Sequence, residues 1–547
     1  MWTNPKSDSV ILFNHRSDVL FVDLKKWTVT KIDNSEFSRP GQGDWSSDGK
    51  WFTYSVSIDR PKMAVKLFEV KTKKVTQIST PVLVDESPVF DPEGKYIYFF
   101  SHRHFDPVHD ALHFELSFMY ATKLYAIPLS AETTSPFLKA PDPLFEEDDK
   151  KEKEEKGKKK GKKDAEKDDE GEKEIEVKID LKDIEKRLFE FPIEAGIYGG
   201  LCATKGKVYY VSCPVEGAFE AEERGPESTN NLECFDFESL KTDTVATGLD
   251  DIQTNMTKSH LLTLNGKRLR VFKGGMKPEE DPKPSEKSGW VDLARIKLMV
   301  TPCLEWAQMY KEAWRLQRDQ YWVEDMADID WQKVFDRYEP LVERVSTRDE
   351  FTDIVWEMQG ELGTSHAYSF GGDVKPSPRW SVGALGADFT WDKKQKAYVI
   401  SNISRGDSWN PDCSSPLTHP GINLEDGDLL FAINKESLSE TLSPYEFLFH
   451  KAAEVVELNV AAQKTPKKKR TVLVRTLRNQ YPTRYRDWVE KNRAYVTKKT
   501  KGKVGYIHIP DMSSWGYAEF HRSFLQEVDK EGLIIDVRFN GGGNVSQ

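Results

Sequence analysis

The chain has 547 residues, which is too many for a single hydrophobic core, and we expect about three to five domains. Charged residues make up 31% of the sequence and the formal net charge is −11. This balance argues against a nucleic-acid partner, because proteins that bind nucleic acids present a basic face. No run of 18 or more apolar residues occurs, so we expect no contact with a membrane through a spanning helix.

The cysteine content and the N-terminus indicate a cytoplasmic location. The five cysteines are odd in number and form no Cys-x-x-Cys pair. Reduced thiols fit this pattern better than a disulfide framework or a zinc site. The first residues, Met-Trp-Thr-Asn-Pro-Lys, also lack the basic and then apolar segments of a secretory signal.

Residues 1–280 contain a repeat with a period of about 45 residues. The motif at 45–55 (Trp-Ser-Ser-Asp-Gly-Lys-Trp-Phe-Thr-Tyr-Ser) recurs at 90–100, with weaker echoes around Gly206 and Gly266. Each Gly-Lys pair predicts a turn between two short strands. The period is typical of a β-propeller, whose blades cannot bury both faces alone. We expect a partial propeller that begins inside a blade; an unrelated β-sandwich is the alternative.

Two polar segments interrupt or follow the repeat. Residues 146–174 consist almost wholly of Glu, Asp and Lys, so they have little to bury and we expect a disordered insertion. A docking segment for a charged partner is the functional alternative. Residues 276–288, rich in Pro, Lys and Glu, predict the linker that leaves the propeller.

Residues 281–372 change to a helical period. Thr301 and Pro302 form a start signal, and Trp306 and Tyr310 fall on one helix face. A second helix follows and ends at Gly360, so the loop after it presents Thr-Ser-His. We expect a small helical domain whose exit loop carries a histidine beside a hydroxyl.

Residues 378–478 predict a separate β-rich module. A glycine-rich loop lies at its start, and short strands follow. A helix begins among them at Ser443-Pro444. This order resembles a PDZ domain, in which backbone N–H groups of the loop bind a peptide carboxylate. That likeness indicates peptide binding by Leu385, Gly386 and Ala387. A structural spacer, with the groove filled by its own chain, is the alternative.

Residues 479–547 predict the beginning of an α/β domain. An apolar strand at 532–538 should pair in a parallel sheet covered on both faces, and a helix over 517–530 should pack through Phe520, Phe524 and Val528. The strand leads into Asn540-Gly-Gly-Gly. In such sheets ligands lie beyond the carboxyl ends of the strands, so the glycine run is a candidate oxyanion site.

Four segments together resemble the tricorn protease family: 356–368, 485–493, 505–512 and 536–543. The domain order, from partial propeller through helical and PDZ-like domains to a truncated α/β domain, is similar as well. The resemblance implies a cytosolic serine peptidase that trims short peptides released by larger proteases. It also implies a homo-oligomer, a hexamer in the family, and neither a metal nor another cofactor.

The resemblance places three roles on this chain. His366 is the expected general base, Ser365 the residue that orients it, and Gly543 the expected oxyanion donor. The family's serine nucleophile and the residues that select substrates would lie beyond Gln547, so we expect this chain to be truncated and inactive alone. The alternative is that Ser365 is itself the nucleophile, although a serine directly before its own base in the chain could not easily reach that base in line.

Two other function classes remain open. A carboxyl-terminal processing peptidase also joins a PDZ module to an Asn-Gly-Gly-Gly strand, but it uses a serine–lysine pair and needs no propeller. A non-enzymatic peptide-binding scaffold of propeller and PDZ-like module is the other. The histidines at 102, 104, 109 and 113 could suggest a metal, but without a Cys or carboxylate pattern they indicate structural residues.

Overall fold

The computed structural model describes residues 1–112, 115–137, 175–225, 227–372, 378–406 and 413–544. It divides into two compact units, Met1–Phe370 and Gly371–Gln547. The charged segment 146–174, expected to be disordered, lies outside the described residues.

The first unit begins with antiparallel sheets that follow one another along the chain. Four of them have four strands and the fifth has three, and a two-stranded hairpin is inserted in the third. In chain order the strands are β1 (Trp2–Thr3), β2 (Ser9–Phe13), β3 (Asp18–Asp23) and β4 (Thr28–Asn34); β5 (Gly43–Trp45), β6 (Trp51–Ser57), β7 (Met63–Glu69) and β8 (Val75–Gln77); β9 (Asp85–Phe90), β10 (Tyr96–His102), the hairpin β11 (Val108–His109) and β12 (Leu116–Ser117), β13 (Thr122–Pro128) and β14 (Phe189–Glu190); β15 (Ile197–Thr204), β16 (Lys207–Cys213), β17 (Asn231–Asp236) and β18 (Lys241–Thr247); β19 (Asp251–Thr254), β20 (His260–Asn265) and β21 (Arg268–Lys273).

The sheets pack face to face in sequence order. Successive side chains of a strand point to opposite faces of its sheet. In β10, Phe99 packs with Leu67 of the second sheet, whereas Phe100 packs with Tyr210 of the fourth. The third sheet is therefore buried on both faces, which is how propeller blades pack. The predicted β-propeller is confirmed.

Glycines mark the turns of the repeat. Gly49, Gly94 and Gly206 have positive φ and each lies between the first and second strands of a sheet. Gly266 also has a positive φ in a turn, but it lies between the second and third strands of the fifth sheet. The motif around Gly266 therefore lies one strand later in its blade than the other three motifs.

A helical bundle follows the propeller. A short helix, α1 (Ala218–Arg224), lies between β16 and β17; the bundle itself consists of α2 (Pro302–Gln320), α3 (Trp331–Val342) and α4 (Arg348–Gly360). The predicted start at Pro302 is confirmed. Helix α3 was not predicted, because Pro340 inside it is typical of a helix end. Short 3₁₀ turns lie at Ile184–Arg187, Leu293–Arg295, Met326–Asp328 and, in the second unit, Pro416–Thr418.

The second unit begins with an antiparallel sheet of order β22-β23-β24-β26-β27, with β25 paired to β24. Its elements are β22 (Asp388–Asp392), β23 (Ala397–Ser401), β24 (Leu429–Ile433), β25 (Glu436–Ser437), α5 (Pro444–Phe447), β26 (Val455–Ala461) and β27 (Arg470–Arg475). The helix begins at Pro444 as predicted, with a capping box between Ser443 and Glu446. The helix has only four residues. Its C-cap residue, Leu448, is buried in the core of this module.

The unit ends with an α/β segment. It contains α6 (Tyr481–Thr500), β28 (Val504–His508), α7 (Ser514–Glu527) and β29 (Gly532–Asp536). Strands β28 and β29 pair in parallel, from Val504 with Gly532 to His508 with Asp536. The crossover helix α7 joins them, as parallel strands require. The predicted parallel pairing is therefore confirmed.

Two expectations for this segment are wrong. Helix α7 buries Glu519, Ser523 and Glu527 rather than the predicted apolar face. The reason is helix α6, because Arg486 forms a buried ion pair with Glu519, and the Arg493 side chain donates a hydrogen bond to Ser523 (3.2 Å).

Strand β29 is also not covered on both faces. Ile534 and Ile535 remain 45% and 53% exposed. Among the described residues the sheet has only two strands, β28 and β29.

Two further properties concern the helices and the cysteines. None of the described helices combines the length and apolar character that a membrane crossing requires. Among the described residues no disulfide joins any of the five cysteines, and three of them are buried. Burial raises the pKa of Cys202 to about 12, so its thiolate is strongly disfavoured.

Candidate active site

The loop that carries Ser365 and His366 leaves the C-terminal end of α4. Helix α4 begins with a capping box, in which the Glu350 amide donates to Thr347 Oγ1 (3.2 Å) and the Thr347 amide donates to Glu350 Oε2 (3.2 Å). After the helix, Gly363 adopts a φ of 57° and redirects the chain. The Thr-Ser-His motif follows directly as exposed backbone.

The start of the loop is held by the neighbouring helix α3. The Tyr338 hydroxyl donates to Glu361 Oε1 (2.7 Å), and Arg337 forms an ion pair with the same carboxylate. These hydrogen bonds lower the pKa of Glu361. The helix end is thereby fixed two residues before Gly363, so the position at which the loop departs is set by packing between α3 and α4.

His366 itself lies in a sparsely populated conformation. Its φ is 66°, in the left-handed region, which few residues other than glycine adopt, although His, like Asn and Asp, is found there more often than most. The imidazole is exposed, and its ring centroid lies 6.0 Å from that of Tyr368. Tyr368 stacks in turn on Phe370. A strained, exposed histidine with an aromatic side chain beside it is compatible with a functional role for the loop.

Ser365 precedes the base in the same exposed loop. In the described part of the first unit, no hydrogen bond joins the Ser365 hydroxyl to the His366 ring; the Thr364 hydroxyl donates a long one to the Ser365 carbonyl (3.4 Å). The two residues are thus neighbours without a direct side-chain contact. The orienting role of Ser365 stays a prediction.

Gly543 belongs to the second unit, at the end of β29. An ion pair organises the exit from that strand, with Arg538 Nη2 2.6 Å from Asp536 Oδ2 and Arg538 Nε 2.9 Å from Oδ1. The Tyr506 hydroxyl donates to the same carboxylate (2.6 Å). The bonds from Arg538, together with that from Tyr506, outweigh burial and hold the pKa of Asp536 far below its usual value. Burial and this carboxylate raise the pKa of Tyr506 to about 12.

The glycine run itself is bound to the segment after β28. The Gly541 amide donates to the Pro510 carbonyl (2.9 Å), and the Met512 amide donates to the Gly542 carbonyl (2.8 Å). Gly543 then forms a parallel bridge with Met512. Residues 541–544 are exposed, so this backbone is held in place yet open to solvent. Such a loop can offer an N–H group to a developing oxyanion.

The candidate peptide loop of the PDZ-like module contacts its own chain. Leu385 and Ala387 are each 2% exposed, and Gly386 has a φ of 63°. The Ser415 hydroxyl donates to the Leu385 carbonyl (2.6 Å), and a Cβ on Gly386 would lie 3.0 Å from Ser415 Cβ. These contacts favour the interpretation of this loop as part of the module's own core. Peptide binding by it stays a prediction.

Sequence reasoning missed three residues that shape the glycine loop. His508, Tyr506 and Asp536 are each less than 8% exposed and all bond at the carboxyl ends of β28 and β29. The available signal was their position, because polar residues at the ends of adjacent parallel strands converge at one edge of the sheet.

Comparison with protein families divides the chain into four consecutive parts. Residues 1–275 match the tricorn protease second β-propeller domain and residues 302–360 match the tricorn protease C1 domain. Residues 383–479 match the tricorn protease PDZ domain, and residues 503–547 match peptidase family S41.

Individual relatives agree with this division. The tricorn protease homolog of Saccharolobus solfataricus is 34% identical over 99% of this chain and 47% of its own length. The tricorn protease of Thermoplasma volcanium is 31% identical over 98% of the chain and 49% of its own length. The chain therefore spans about half the length of these relatives. A crystal structure of the tricorn protease superposes with a TM-score of 0.84 at 28% identity, over 100% of this chain and 50% of that one.

Proposed function

Because this chain belongs to the tricorn protease family, we propose that it supplies the general base and one oxyanion donor of a serine peptidase that trims short peptides. The match of residues 503–547 to peptidase family S41 supports hydrolysis of a peptide bond. The observation that carries the proposal is the glycine loop, whose backbone is bound to Met512 while its residues stay exposed.

The proposed mechanism uses three residues of this chain. His366 takes the proton from a serine hydroxyl that a segment outside residues 1–547 contributes, and the serine oxygen attacks the substrate carbonyl. The Gly543 N–H donates to the resulting oxyanion. His366 then returns the proton to the leaving amine, and Ser365 limits the orientations that the imidazole can take.

The wider role follows from the same family membership. We infer a cytoplasmic, self-associating enzyme, hexameric in its complete form, that acts on peptides released by larger proteases. In this proposal the role of the propeller is to limit access to the site. The contacts of Ser415 with the PDZ-like loop weigh against a pure peptide-binding scaffold.

The first experiment uses the chain as it is. The purified 547-residue protein is incubated with a serine-reactive phosphonate and with fluorogenic tripeptides. We expect no covalent labelling and no steady turnover. A base and an oxyanion donor alone provide no nucleophile, so only water could attack the substrate carbonyl. Stoichiometric labelling with turnover would contradict the proposal and would direct attention to Ser365.

The second experiment uses a longer form that continues beyond Gln547 and is labelled by the same phosphonate. His366→Ala in that form should lower kcat by at least about 100-fold with the fold intact, since general-base catalysis contributes at least that much. His15→Ala, which removes another exposed histidine in the propeller, is the matched control. Equal turnover in both variants would overturn the assignment of His366.

A further inference from the structure

Backbone pairing between β28 and β29 stops just before the glycine loop. The last regular pair is His508 with Asp536, and the Ile509 amide still donates to the Asp536 carbonyl (3.0 Å). If the parallel ladder continued, Arg538 would be the next residue after β29 to pair. Both its amide and its carbonyl would then bond to the segment after β28. Neither group of Arg538 does so.

Side chains take over the backbone groups that the ladder leaves. The Arg538 amide donates to Asp536 Oδ1 (3.0 Å) rather than to a carbonyl of the neighbouring strand. The Ile509 carbonyl accepts from Asn540 Nδ2 (3.0 Å). The Arg538 carbonyl accepts from His508 Nε2 (2.9 Å). Backbone groups near the interior need partners, so these three bonds allow the chain to leave the sheet without losing hydrogen bonds.

The hydrogen bonds of His508 determine where its proton lies. A carbonyl oxygen can only accept, so Nε2 must carry the proton. Nδ1 lies 2.9 Å from the Tyr485 hydroxyl, which donates to it when the ring is neutral. Burial raises the pKa of Tyr485, which keeps this hydroxyl protonated. His508 is 3% exposed, and its ring packs edge-on against Trp488 at a centroid distance of 4.8 Å.

We propose that His508 is a positioning residue for the oxyanion loop, which donates from Nε2 to the Arg538 carbonyl and thereby directs residues 538–543 away from the sheet. It does not touch substrate. Its effect reaches Gly543 through the loop that it anchors, so the catalytic meaning of this role rests on the proposed function. A core histidine needed only for packing would be replaceable by any side chain of similar shape.

The first test observes the unaltered His508 side chain. Proton–nitrogen correlation spectra of the 547-residue chain, selectively labelled at histidine, report which ring nitrogen carries the proton. The His508 resonances, assigned by their loss in His508→Gln, should show a proton on Nε2. A ring whose single proton lies on Nδ1 would overturn the proposal.

The second test separates positioning from packing. In His508→Phe, which keeps the ring shape, amide exchange across residues 538–544 should become about 5- to 30-fold faster, because one or two hydrogen bonds are lost. His508→Gln can place an amide N–H near the same carbonyl and should restore most of the protection. His521→Phe, on α7, is the matched control and should leave the loop unchanged. Equal exchange in the Phe and Gln variants would refute positioning.

The third measurement links the loop to catalysis in the longer form. His508→Phe should lower kcat by about 10- to 100-fold with KM little changed, as expected for a displaced catalytic group, and His508→Gln should recover most of it. If the longer form proves inactive even with His508 intact, the proposed function fails. The exchange result then still shows whether His508 positions the loop. If exchange responds but kcat does not, the positioning role is refuted and the proposed function stands.

Discussion

Gly543 approaches the Met512 backbone so closely that a Cβ on Gly543 would lie 2.2 Å from the Met512 carbonyl oxygen. The two residues form a parallel bridge, and Gly543 has a φ of 150°. Both the contact and the conformation exclude a side chain at this position. The last glycine of the run is therefore required by the path of the chain, independently of any catalytic role.

Replacing this glycine should displace the loop. Gly543→Ala has to move either its own backbone or that of Met512, because the obstructing atom is a carbonyl oxygen. Overpacking of this kind costs about 1 to 3 kcal/mol. We expect faster amide exchange at Met512 and Gly542, measured in the 547-residue chain, and loss of turnover in a longer active form.

Gly541→Ala is the matched control for that substitution. A Cβ at Gly541 would meet no atom within 4 Å, and its φ is not positive. The variant should leave exchange at Met512 unchanged. Comparable loss of protection in both variants would show that the close approach to Met512 does not decide the loop conformation.

Ser365 and His366 should behave as a dependent pair. If Ser365 acts by orienting the base, Ser365→Ala should lower kcat in the longer form by less than His366→Ala does. The double variant should then be no slower than His366→Ala alone, because residues that act as a unit are not additive. The measurement is a double-mutant cycle on kcat. Loss of phosphonate labelling in Ser365→Ala would instead identify this serine as the nucleophile.

Asp536 should make the stability of the second unit depend on acid. Its pKa is depressed in the folded protein by the bonds from Arg538 and Tyr506. A depressed carboxyl pKa contributes stability above the unfolded value of about 4, and this contribution is lost as the pH falls through the folded pKa. Asp536→Asn should lower the free energy of unfolding by about 2 kcal/mol at pH 7.

The difference between wild type and Asp536→Asn should shrink below about pH 4, where the wild-type carboxylate begins to lose its advantage. Urea unfolding monitored at several pH values between 7 and 2 measures it. Asp529→Asn, at an exposed position after α7, serves as the reference for a carboxylate outside this network. A constant difference across the whole range would contradict the assignment of the depressed pKa.

Lys258 should stabilise the propeller through a contact between distant blades. It lies in the turn between β19 and β20 and is 7% exposed. Its ammonium forms an ion pair with Asp44 of the second sheet and donates to the Phe90 carbonyl of the third (2.7 Å). Lys258→Met removes this ion pair, while the Phe90 amide still donates to Asp44 Oδ2 (2.8 Å). Losing a hydrogen bond to a charged group typically costs about 1.5 to 3 kcal/mol.

Scanning calorimetry of Lys258→Met tests this contact, with Lys241→Met at an exposed strand position as the control. We expect a clear fall in the melting temperature of the propeller for the first variant and almost none for the second. The double variant Lys258→Met/Asp44→Asn should recover part of the loss, because it removes the uncompensated charge. Equal melting temperatures for the two lysine variants would show that the buried contact contributes nothing.

Local sequence patterns were sufficient to predict the type and order of several elements. The Gly-Lys turns of the propeller and the start of α2 at Pro302 both depend on residues close to one another in the chain. Turn glycines, helix caps and apolar strands act locally, so their effect can be deduced before any tertiary contact is known. His366, Ser365 and Gly543 were likewise selected from short motifs.

Only the tertiary structure decided which polar residues are buried and what they hold. Helix α7 buries Glu519 because Arg486, 33 positions earlier, provides its counter-charge, and no periodicity within α7 predicts that partner. His508 became informative only when folding placed the Arg538 carbonyl 2.9 Å from its ring. A polar group is tolerated in the interior only if it has a hydrogen-bonding partner there. Such partners are brought together by the packing of elements that are distant in sequence.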